Sequence, residues 1–312
     1  MPRRAEKRAS LSTTTDMAPP GAGSALLLEG DCLTRIGEVV ESGGLFDLVY
    51  VDPPFNAGGS RGAREGRGAR AEGRVAYSDA WGGLQAFLDA LEPRLAAMRD
   101  AMAERASLFL HLDFRAVHDA KVLADRVFGR SAFRGEIVWV PGNGARRMAG
   151  PSMTHQTILV YAKSRDMVWN TKDRALRESY AETSLSMHFR HVDPGGRRYR
   201  ERTIGGKTYR YYADEGRRLG SVWTDCPAMT ANTPLTRETT GYPTQKPLRL
   251  LDRIVRIATH EGGRVLDPMC GSGTTLVASL SAGRHAVGID QSALACGVAR
   301  KRLAGLRAQG PA

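Results

Sequence analysis

Apolar residues along the chain follow two patterns, which are short continuous runs and longer stretches with helical spacing. Runs at 26–28, 46–51 and 107–112 are bounded by turn or acidic residues, as is typical of buried strands in a parallel sheet. Apolar residues at 84–102 recur every three or four positions and predict a helix. The alternation continues with predicted helices at 115–128, 247–259 and 273–281, and predicted strands at 136–140, 157–161, 264–266 and 286–289. This order predicts an α/β fold with a doubly wound, mostly parallel sheet.

Two stretches lack this alternation. Residues 1–24 are rich in Ser, Thr, Pro and Gly, and we predict a disordered basic tail. Residues 165–235 contain many Gly, Arg and Tyr but few apolar repeats, which indicates an inserted lobe. The core is therefore expected in two halves, at 25–164 and 236–304, and a second tail is expected at 305–312.

The composition excludes several classes of protein. The chain has 312 residues, of which 42% are hydrophobic and 25% charged, and no apolar run approaches the ~20 residues that a membrane helix needs. We therefore expect no membrane partner. Its four cysteines are far apart, which argues against disulfides and fits the reducing cytoplasm. No metal is expected, because none of these histidines has metal-ligand spacing: His111, His155, His188 and His191.

The excess positive charge is confined to a few segments. The net charge is +12, and the basic excess falls in 1–24, in 56–74 and in 186–223. Residues 56–74 contain five arginines among glycines, and we predict a mobile basic loop there. Such a layout is typical of a nucleic-acid-binding surface. On charge alone, solvated loops without a partner remain the alternative.

A glycine-rich turn with the sequence DPMCGSGTT occupies residues 267–275, between a predicted strand and a predicted helix. Its glycines allow a ligand to approach the backbone at the carboxyl end of the strand. No Lys-Ser/Thr pair follows Gly273, which disfavours a nucleoside triphosphate. The next strand ends at Asp290, which can accept hydrogen bonds from ribose hydroxyls. These features favour a nucleoside ligand, with a plain tight turn as the alternative.

A second motif follows the apolar run at 46–51. The strand stops at Asp52, Pro53, Pro54 and Phe55. Proline has no backbone donor and a fixed φ, so the carbonyl groups here are rigidly held acceptors. A planar amino group held by the Asp52 carboxylate and the Pro53 carbonyl would turn its lone pair toward an electrophile. The Phe55 ring offers a face on which a base can stack.

These motifs resemble those of the amino-group DNA methyltransferases, and their order resembles the β class of that family. The resemblance rests on DPPF at 52–55, YPTQKP at 242–247 and the turn at 267–275, and it covers about residues 26–304. It implies the methyltransferase type of α/β fold with a circularly permuted motif order and an inserted target-recognition region. It also implies S-adenosyl-L-methionine as the cofactor.

The resemblance implies a role for each motif residue. Asp52, Pro53, Pro54 and Phe55 would form the catalytic motif. The methionine part of the cofactor would lie against the turn, the ribose against Asp290, the adenine amino group against Asp31, and the cofactor carboxylate against Lys246, unless that lysine is simply solvated. Thr244 is expected to cap the helix that follows it. The other predicted cofactor-binding residues are Cys32, Asp267, Pro268, Cys270, Gly271, Ser272, Gly273 and Thr274.

The implied activity is methyl transfer to the N6 amino group of adenine in double-stranded DNA, by base flipping and direct in-line transfer. In this family an Asp at the first motif position, here Asp52, favours adenine, whereas a Ser more often accompanies cytosine. The alternatives are a cytosine N4 methyltransferase, a methyltransferase of RNA or of protein amides, and an inactive DNA-binding homologue.

Double-stranded DNA is the expected partner, and arginines of the two long basic segments are expected to bind it. A second copy of the chain and a cognate restriction endonuclease are further candidate partners, and the expected location is the cytoplasm, in association with the nucleoid. The predicted DNA-binding residues are Arg61, Arg64, Arg67, Arg70, Arg197, Arg198, Arg200, Arg202 and Arg210.

Overall fold

The structure is a computed structural model, and it describes residues 23–54, 60–62, 75–78, 82–142, 150–229 and 238–308. Several sequence predictions lie outside these residues, namely those for Phe55, Arg64, Arg67, Arg70 and nearly all of the N-terminal tail.

Fifteen strands occur in the described residues. In chain order they are β1 (Ala25–Glu29), β2 (Phe46–Val51), β3 (Ser60–Gly62), β4 (Val75–Ser78), β5 (Met102–Leu112), β6 (Phe133–Trp139), β7 (Gln156–Ala162), β8 (Arg177–Glu178), β9 (His191–Val192), β10 (Arg198–Ile204), β11 (Lys207–Tyr212), β12 (Arg217–Arg218), β13 (Val222–Trp223), β14 (Arg264–Asp267) and β15 (His285–Asp290).

Seven α-helices accompany these strands in the part of the chain that the structure describes. They are α1 (Cys32–Gly43), α2 (Leu84–Ala101), α3 (Val117–Phe128), α4 (Glu182–His188), α5 (Leu248–Ala258), α6 (Thr274–Ser281) and α7 (Ala293–Ala308). Single-turn 3₁₀ helices lie at Arg130–Ala132, Arg174–Leu176 and Ala213–Glu215. Among the described residues, no helix is both long enough and apolar enough to cross a membrane.

Eight strands form the central sheet, in the order β1-β15-β14-β2-β5-β7-β6-β13. The first five are parallel neighbours, whereas β7 runs antiparallel to both β5 and β6. Strands β2 and β14 are far apart in sequence but adjacent in the sheet, with Val49 opposite Leu266. The predicted fold, a doubly wound and mostly parallel α/β sheet, is confirmed.

Both faces of the sheet are covered by helices. Along β2, Leu48 and Tyr50 pack into an apolar cluster with α5, α6 and α7. Val49 and Val51 pack into a second cluster with α1, α2 and α3. Burial on both sides explains why the strand is a continuous apolar run rather than an alternating one. The arrangement is the doubly wound one that the sequence pattern predicts.

The boundaries of several elements differ from the prediction. Helix α1 was not predicted, although Cys32, Ile36 and Val39 form a buried stripe along it. Strand β5 begins five residues earlier than expected, because Met102 pairs with Phe46 beyond the apolar run. Helix α7 continues to residue 308, so the predicted tail at 305–312 starts too early. Leu306 in this last turn packs against the core, which explains the extension.

The region predicted as an inserted lobe forms small sheets of its own. Strands β9, β10 and β11 form an antiparallel sheet, and β8 pairs with β12. Strand β13, however, pairs with β6 and is the edge strand of the central sheet. The separate sheets thus end at residue 218, before the predicted boundary at 235. Trp223 of β13 is buried in the apolar cluster that also contains α5, and this burial keeps β13 on the central sheet.

Candidate active site

Four carboxylates lie at one edge of the central sheet. Asp31 and Asp52 follow β1 and β2, while Asp267 and Asp290 are the last residues of β14 and β15. The strands are parallel, so their carboxyl ends meet there. An open cavity of about 270 Å³ lies at this edge, and all four residues line it. In open α/β sheets this edge is where ligands bind.

Most of the residues predicted from the two motifs line this one cavity. Phe55 lies outside the described residues, and Gly273 does not line the cavity because it packs against α7, where an added Cβ would lie 2.8 Å from the Cβ of Ala299. The predicted residues that do line it are Asp31, Cys32, Asp52, Pro53, Pro54, Lys246, Asp267, Pro268, Cys270, Gly271, Ser272, Thr274 and Asp290.

The glycine-rich turn is held open by backbone hydrogen bonds. The Cys270 amide donates to the carbonyl oxygen of Ile289 at 2.9 Å, which ties the turn to β15. The Gly271 amide donates to the Asp290 carboxylate at 2.8 Å. Gly271 and Gly273 have φ values of 50° and 74°, a left-handed conformation that glycine adopts without steric strain. The turn therefore exposes backbone to the cavity, as a close-fitting ligand requires.

Arg302 of α7 supports this turn, and it was not among the residues predicted from the sequence. Its guanidinium donates to the carbonyl oxygen of Ser272 at 2.9 Å and to the hydroxyl oxygen of Thr274 at 2.8 Å. Burial lowers the pKa of this arginine. An arginine near the end of a charged helix is normally solvated, so no signal in the sequence distinguished it.

The carboxylates of the turn are strongly desolvated. Asp267 is only 3% exposed, and burial raises its pKa to about 7, against the opposing hydrogen bonds from Thr275 and from the Met269 amide. Burial also raises the pKa of Asp290, against hydrogen bonds from the Ser292 and Gly271 amides. A cation beside Asp267 and hydroxyl donors beside Asp290 would compensate these carboxylates. This is the chemistry that a sulfonium-bearing nucleoside offers, so the residues present fit the cofactor.

Asp52 and Lys246 form an ion pair inside the cavity. The Lys246 ammonium donates to the Asp52 carboxylate, and its side chain is only 8% exposed. The alternative of a solvated lysine is therefore wrong, because the side chain is buried and paired with the Asp52 carboxylate. The lysine contacts Asp52 of the DPPF motif, and its role toward the cofactor carboxylate stays a prediction.

Thr244 does not cap α5, contrary to expectation. It has a φ of 58°, and the residue at the N-cap position is Pro247, which has no side chain able to accept a hydrogen bond. The Glu238 carboxylate accepts instead from the Leu248 amide at 3.2 Å. The capping group thus comes from ten residues upstream, which the local sequence pattern could not indicate.

Asp31 has two roles in the fold. Its carboxylate accepts from the Leu33 amide at 2.9 Å and so caps α1. It also forms an ion pair with Arg94 of α2 at 2.8 Å, and Arg94 itself lines the cavity. Arg94 was not among the residues predicted from the sequence. Whether a ligand amino group shares Asp31 with these two donors stays a prediction.

A buried hydrogen-bonded chain extends from the cavity wall into the core. Tyr50 lines the cavity, and its hydroxyl lies 2.8 Å from Nδ1 of His111. Nε2 of His111 lies 2.7 Å from the side-chain oxygen of Gln156. Because a carbonyl oxygen only accepts, Nε2 carries the proton and Nδ1 accepts from the tyrosine. His111 is thus held in the core by its two side-chain partners, directly behind the cavity wall.

This histidine makes stability sensitive to acid. Burial, together with the nearby Lys246 ammonium, lowers the pKa of His111 well below 6.5, although the Gln156 hydrogen bond opposes the shift. The unfolded chain therefore binds a proton below about pH 6.5 that the folded chain does not bind. The contribution of His111 to folding stability falls by up to about 1.4 kcal/mol for each unit by which the pH is lowered. His111→Gln should remove this slope. Urea unfolding of the unmodified chain and of the variant, measured from neutral to mildly acidic pH, tests this prediction. An equal change in the free energy of unfolding with pH in the two proteins would contradict it.

The predicted DNA-binding arginines of the small sheets differ in their surroundings. Arg197 and Arg210 are ion-paired with acidic neighbours. Arg198 donates to backbone carbonyl groups, and Arg200 lies over aromatic rings. Arg202 is exposed. Of the basic segment 56–74, Arg61 lies in β3, which pairs with β4.

Among the described residues, no group of three or more His, Cys, Asp or Glu is arranged to hold a metal.

A family model described as DNA methylase, for N6 and N4 methyltransferases, matches residues 46–301. The match covers both motifs and most of the central sheet. The chain belongs to this DNA methylase family, and the resemblance stated from its motifs is confirmed.

Individual relatives agree with this assignment. The Type II methyltransferase M.EcaI of Enterobacter cloacae is 25% identical over 304 residues, which cover 82% of this chain but only 64% of that protein. The DNA adenine methyltransferase YhdJ of Escherichia coli (strain K12) is 22% identical over 271 residues, covering 86% of this chain and 79% of that protein. The solved structure of the M1.HpyAVI–SAM complex superposes with a TM-score of 0.54 at 17% identity, covering 89% of this chain and 98% of that one.

Proposed function

We propose that this chain transfers a methyl group from S-adenosyl-L-methionine to the N6 amino group of adenine in double-stranded DNA. The observation that carries the proposal is that Asp52, Pro53 and Pro54 open onto the same cavity as the glycine-rich turn. A group that holds an amine and a turn that holds a nucleoside thus face a common space. Direct transfer between two bound reactants requires such an arrangement, because its main demand is alignment.

The cofactor would be held by residues of β14, β15 and the turn between β14 and α6. Asp267 would lie near its positive charge and Asp290 near its ribose hydroxyls, while Gly271 allows close approach of the backbone. When bound, S-adenosylmethionine supplies a methyl group on a positively charged sulfur, which needs no further activation. The similar structure of M1.HpyAVI is a complex with SAM, which supports this choice of cofactor.

The substrate amine would be held at the end of β2. The carboxylate of Asp52 and the carbonyl oxygen of Pro53 accept its two N–H hydrogens, which turns the nitrogen lone pair outward. Lys246 compensates the charge of Asp52 and holds its carboxylate in place. Because the amine of a duplex is paired and stacked, the target base must leave the helix to reach Asp52.

Adenine is proposed over cytosine for two reasons. The motif begins with Asp52, which in the family favours adenine. YhdJ, which matches 86% of this chain, is named a DNA adenine methyltransferase. Cytosine N4, which the same family of enzymes also methylates, is the competing outcome. The partnership with a second copy or with a restriction endonuclease stays a prediction.

Expression of the chain in a bacterial host without its own DNA methyltransferases should produce N6-methyladenine in the host DNA. The expectation follows from Asp52 and the adjoining cofactor turn. Digestion of the DNA to nucleosides and mass spectrometry measures the product. Modified-base sequencing of the same DNA then identifies the site.

A host that expresses the Asp52→Asn variant is the matched control, and its DNA should contain far less N6-methyladenine than DNA from the host with the unmodified chain. N4-methylcytosine as the sole product would overturn the choice of base and leave the cofactor assignment intact. A methyl group found on RNA or on protein, with none on DNA, would overturn the substrate.

A further inference from the structure

Strands β10 and β11 form an antiparallel hairpin whose two faces carry different side chains. Directly opposite residues share a face, and the register places Glu201 opposite Arg210 and Arg202 opposite Tyr209. We call the side that carries Glu201 and Arg210 the first face, and the side that carries Arg202 and Tyr209 the second face. By the same alternation, Arg198, Arg200 and Lys207 belong to the second face.

The positive charges of the first face are already compensated. Arg210 donates to the Glu201 carboxylate at 3.0 Å. Arg197, which precedes β10, pairs with Asp214 at 2.9 Å and with Glu215 at 3.2 Å. Hydrogen bonds to these carboxylates raise the pKa of Arg197. A polyanion would have to displace an internal partner to reach either arginine.

The base of the second face packs against α4. Arg198 donates to the carbonyl oxygens of Leu185 and Phe189, at 2.9 Å and 3.0 Å. The Arg200 guanidinium lies 5.2 Å from the ring centre of Phe189 and 5.6 Å from that of Tyr211. These contacts fix the hairpin on the helix without neutralising either charge, because no acidic residue stands on this face in β10 or β11.

The end of the second face projects into solvent. Arg202, Lys207 and Tyr209 are all exposed. Tyr209 is 41% exposed, although an aromatic side chain of this size is usually more buried. Within the part of the chain that the structure describes, neither Arg202 nor Lys207 forms an ion pair. The Lys207 ammonium lies 5.6 Å from the centre of the Tyr209 ring. Two uncompensated cations thus flank an exposed aromatic ring.

We propose that this end of the second face, Arg202, Lys207 and Tyr209, contacts the DNA backbone, and that Arg197 and Arg210 hold the shape of the hairpin instead. The inference rests on the proposed function, in which DNA is the substrate. A polyanion gains most from cations that have no internal partner, because no existing ion pair is then lost. The five lobe arginines that sequence composition groups together therefore divide into contacting and supporting residues.

Two double variants with the same change in net charge test the proposal. Arg202→Ala/Lys207→Ala removes two positive charges from the second face, and Arg197→Ala/Arg210→Ala removes two from the first-face pairs. Fluorescence anisotropy with a labelled mixed-sequence duplex, at several salt concentrations, gives the slope of log K against log salt. The second-face variant should lose about 1.8 from that slope, about 0.9 for each phosphate contact. The first-face variant should retain the slope of the unmodified chain.

Equal losses of slope in both variants would overturn the proposal, since net charge and not the face would then matter. An unchanged slope in the second-face variant would overturn it too. Thermal unfolding of both variants checks that the hairpin is still folded, and isothermal titration with S-adenosylmethionine checks that the cavity is unaffected. If the unmodified chain methylates DNA but the slopes do not differ, the inference fails and the proposed function stands. If it neither binds nor methylates DNA, both fail.

Discussion

Replacing Asp52 by asparagine is expected to lower the rate of methyl transfer by about 10²–10³-fold, the range for removing one preorganised group that acts on the reacting atoms. Asparagine keeps the shape of the side chain but removes the charge that would hold the substrate amine. Cofactor binding should change only a few-fold, because the carboxylates proposed to hold the cofactor lie at the ends of β14 and β15, away from Asp52 in sequence and on other strands. Single-turnover transfer of a labelled methyl group gives the rate, and isothermal titration gives the affinity. Loss of cofactor binding in parallel with the rate would contradict the role assigned to Asp52.

The ion pair with Lys246 complicates the single substitution and also supplies its control. Asp52→Asn leaves the buried ammonium without this carboxylate, and breaking a buried pair is typically destabilising by about 3–5 kcal/mol. We expect a smaller loss here, because the Asp52 side chain is 17% exposed. In the double variant Asp52→Asn/Lys246→Met the ammonium is absent, so stability should recover while transfer stays lost. Recovery of transfer in the double variant would show that the first loss was structural.

Local patterns predicted those parts of the fold that depend on neighbours in sequence. The buried run at 46–51 is followed at once by an acidic residue and two prolines. The predicted strand at 264–266 is followed by an acidic residue and a glycine-rich turn. Period, turn residues and the acidic strand ends were enough to predict a doubly wound sheet. The edge of the sheet that carries the cavity could be inferred from this topology, because the carboxyl ends of parallel strands meet at one edge.

Contacts between distant segments could not be predicted in the same way. Lys246 lies 194 residues from Asp52, and Arg302 lies 30 residues from Ser272. Each pairs with a group that only the folded chain brings near, and nothing around either residue marks it as buried. Glu238 at the start of α5 is a similar case, because it replaces the local cap that Thr244 was expected to provide.

Charge in the lobe shows the same limit. Composition indicates that residues 186–223 are basic, but it does not indicate which cations have acidic partners. The register of β10 against β11 decides this, since it sets Glu201 beside Arg210 and leaves Arg202 beside Tyr209. A shift of one residue would reverse the faces. The surface proposed to contact DNA is therefore determined by strand pairing and not by the number of arginines.

The affinity for S-adenosylmethionine is expected to increase as the pH rises through about 7, with the increase caused by Asp267. Burial raises the pKa of this carboxyl from 3.8 to about 7, so it is largely protonated in mildly acidic solution. A cationic ligand binds the ionised form, and affinity should grow by up to about tenfold per pH unit below the pKa and level off above it. Asp267→Asn should bind weakly at every pH.

The same shift gives Asp267 an opposite effect on stability. Its pKa is higher in the folded chain than in the unfolded one, so its contribution is full below about pH 4 and is lost as the pH rises through about 7. A shift of this size corresponds to up to about 4 kcal/mol, so Asp267→Asn should be more stable than the unmodified chain at mildly alkaline pH.

Titration calorimetry in two buffers of different protonation enthalpy should detect a proton released on cofactor binding. A pH-independent affinity with no released proton would mean that Asp267 does not face the positive charge of the ligand.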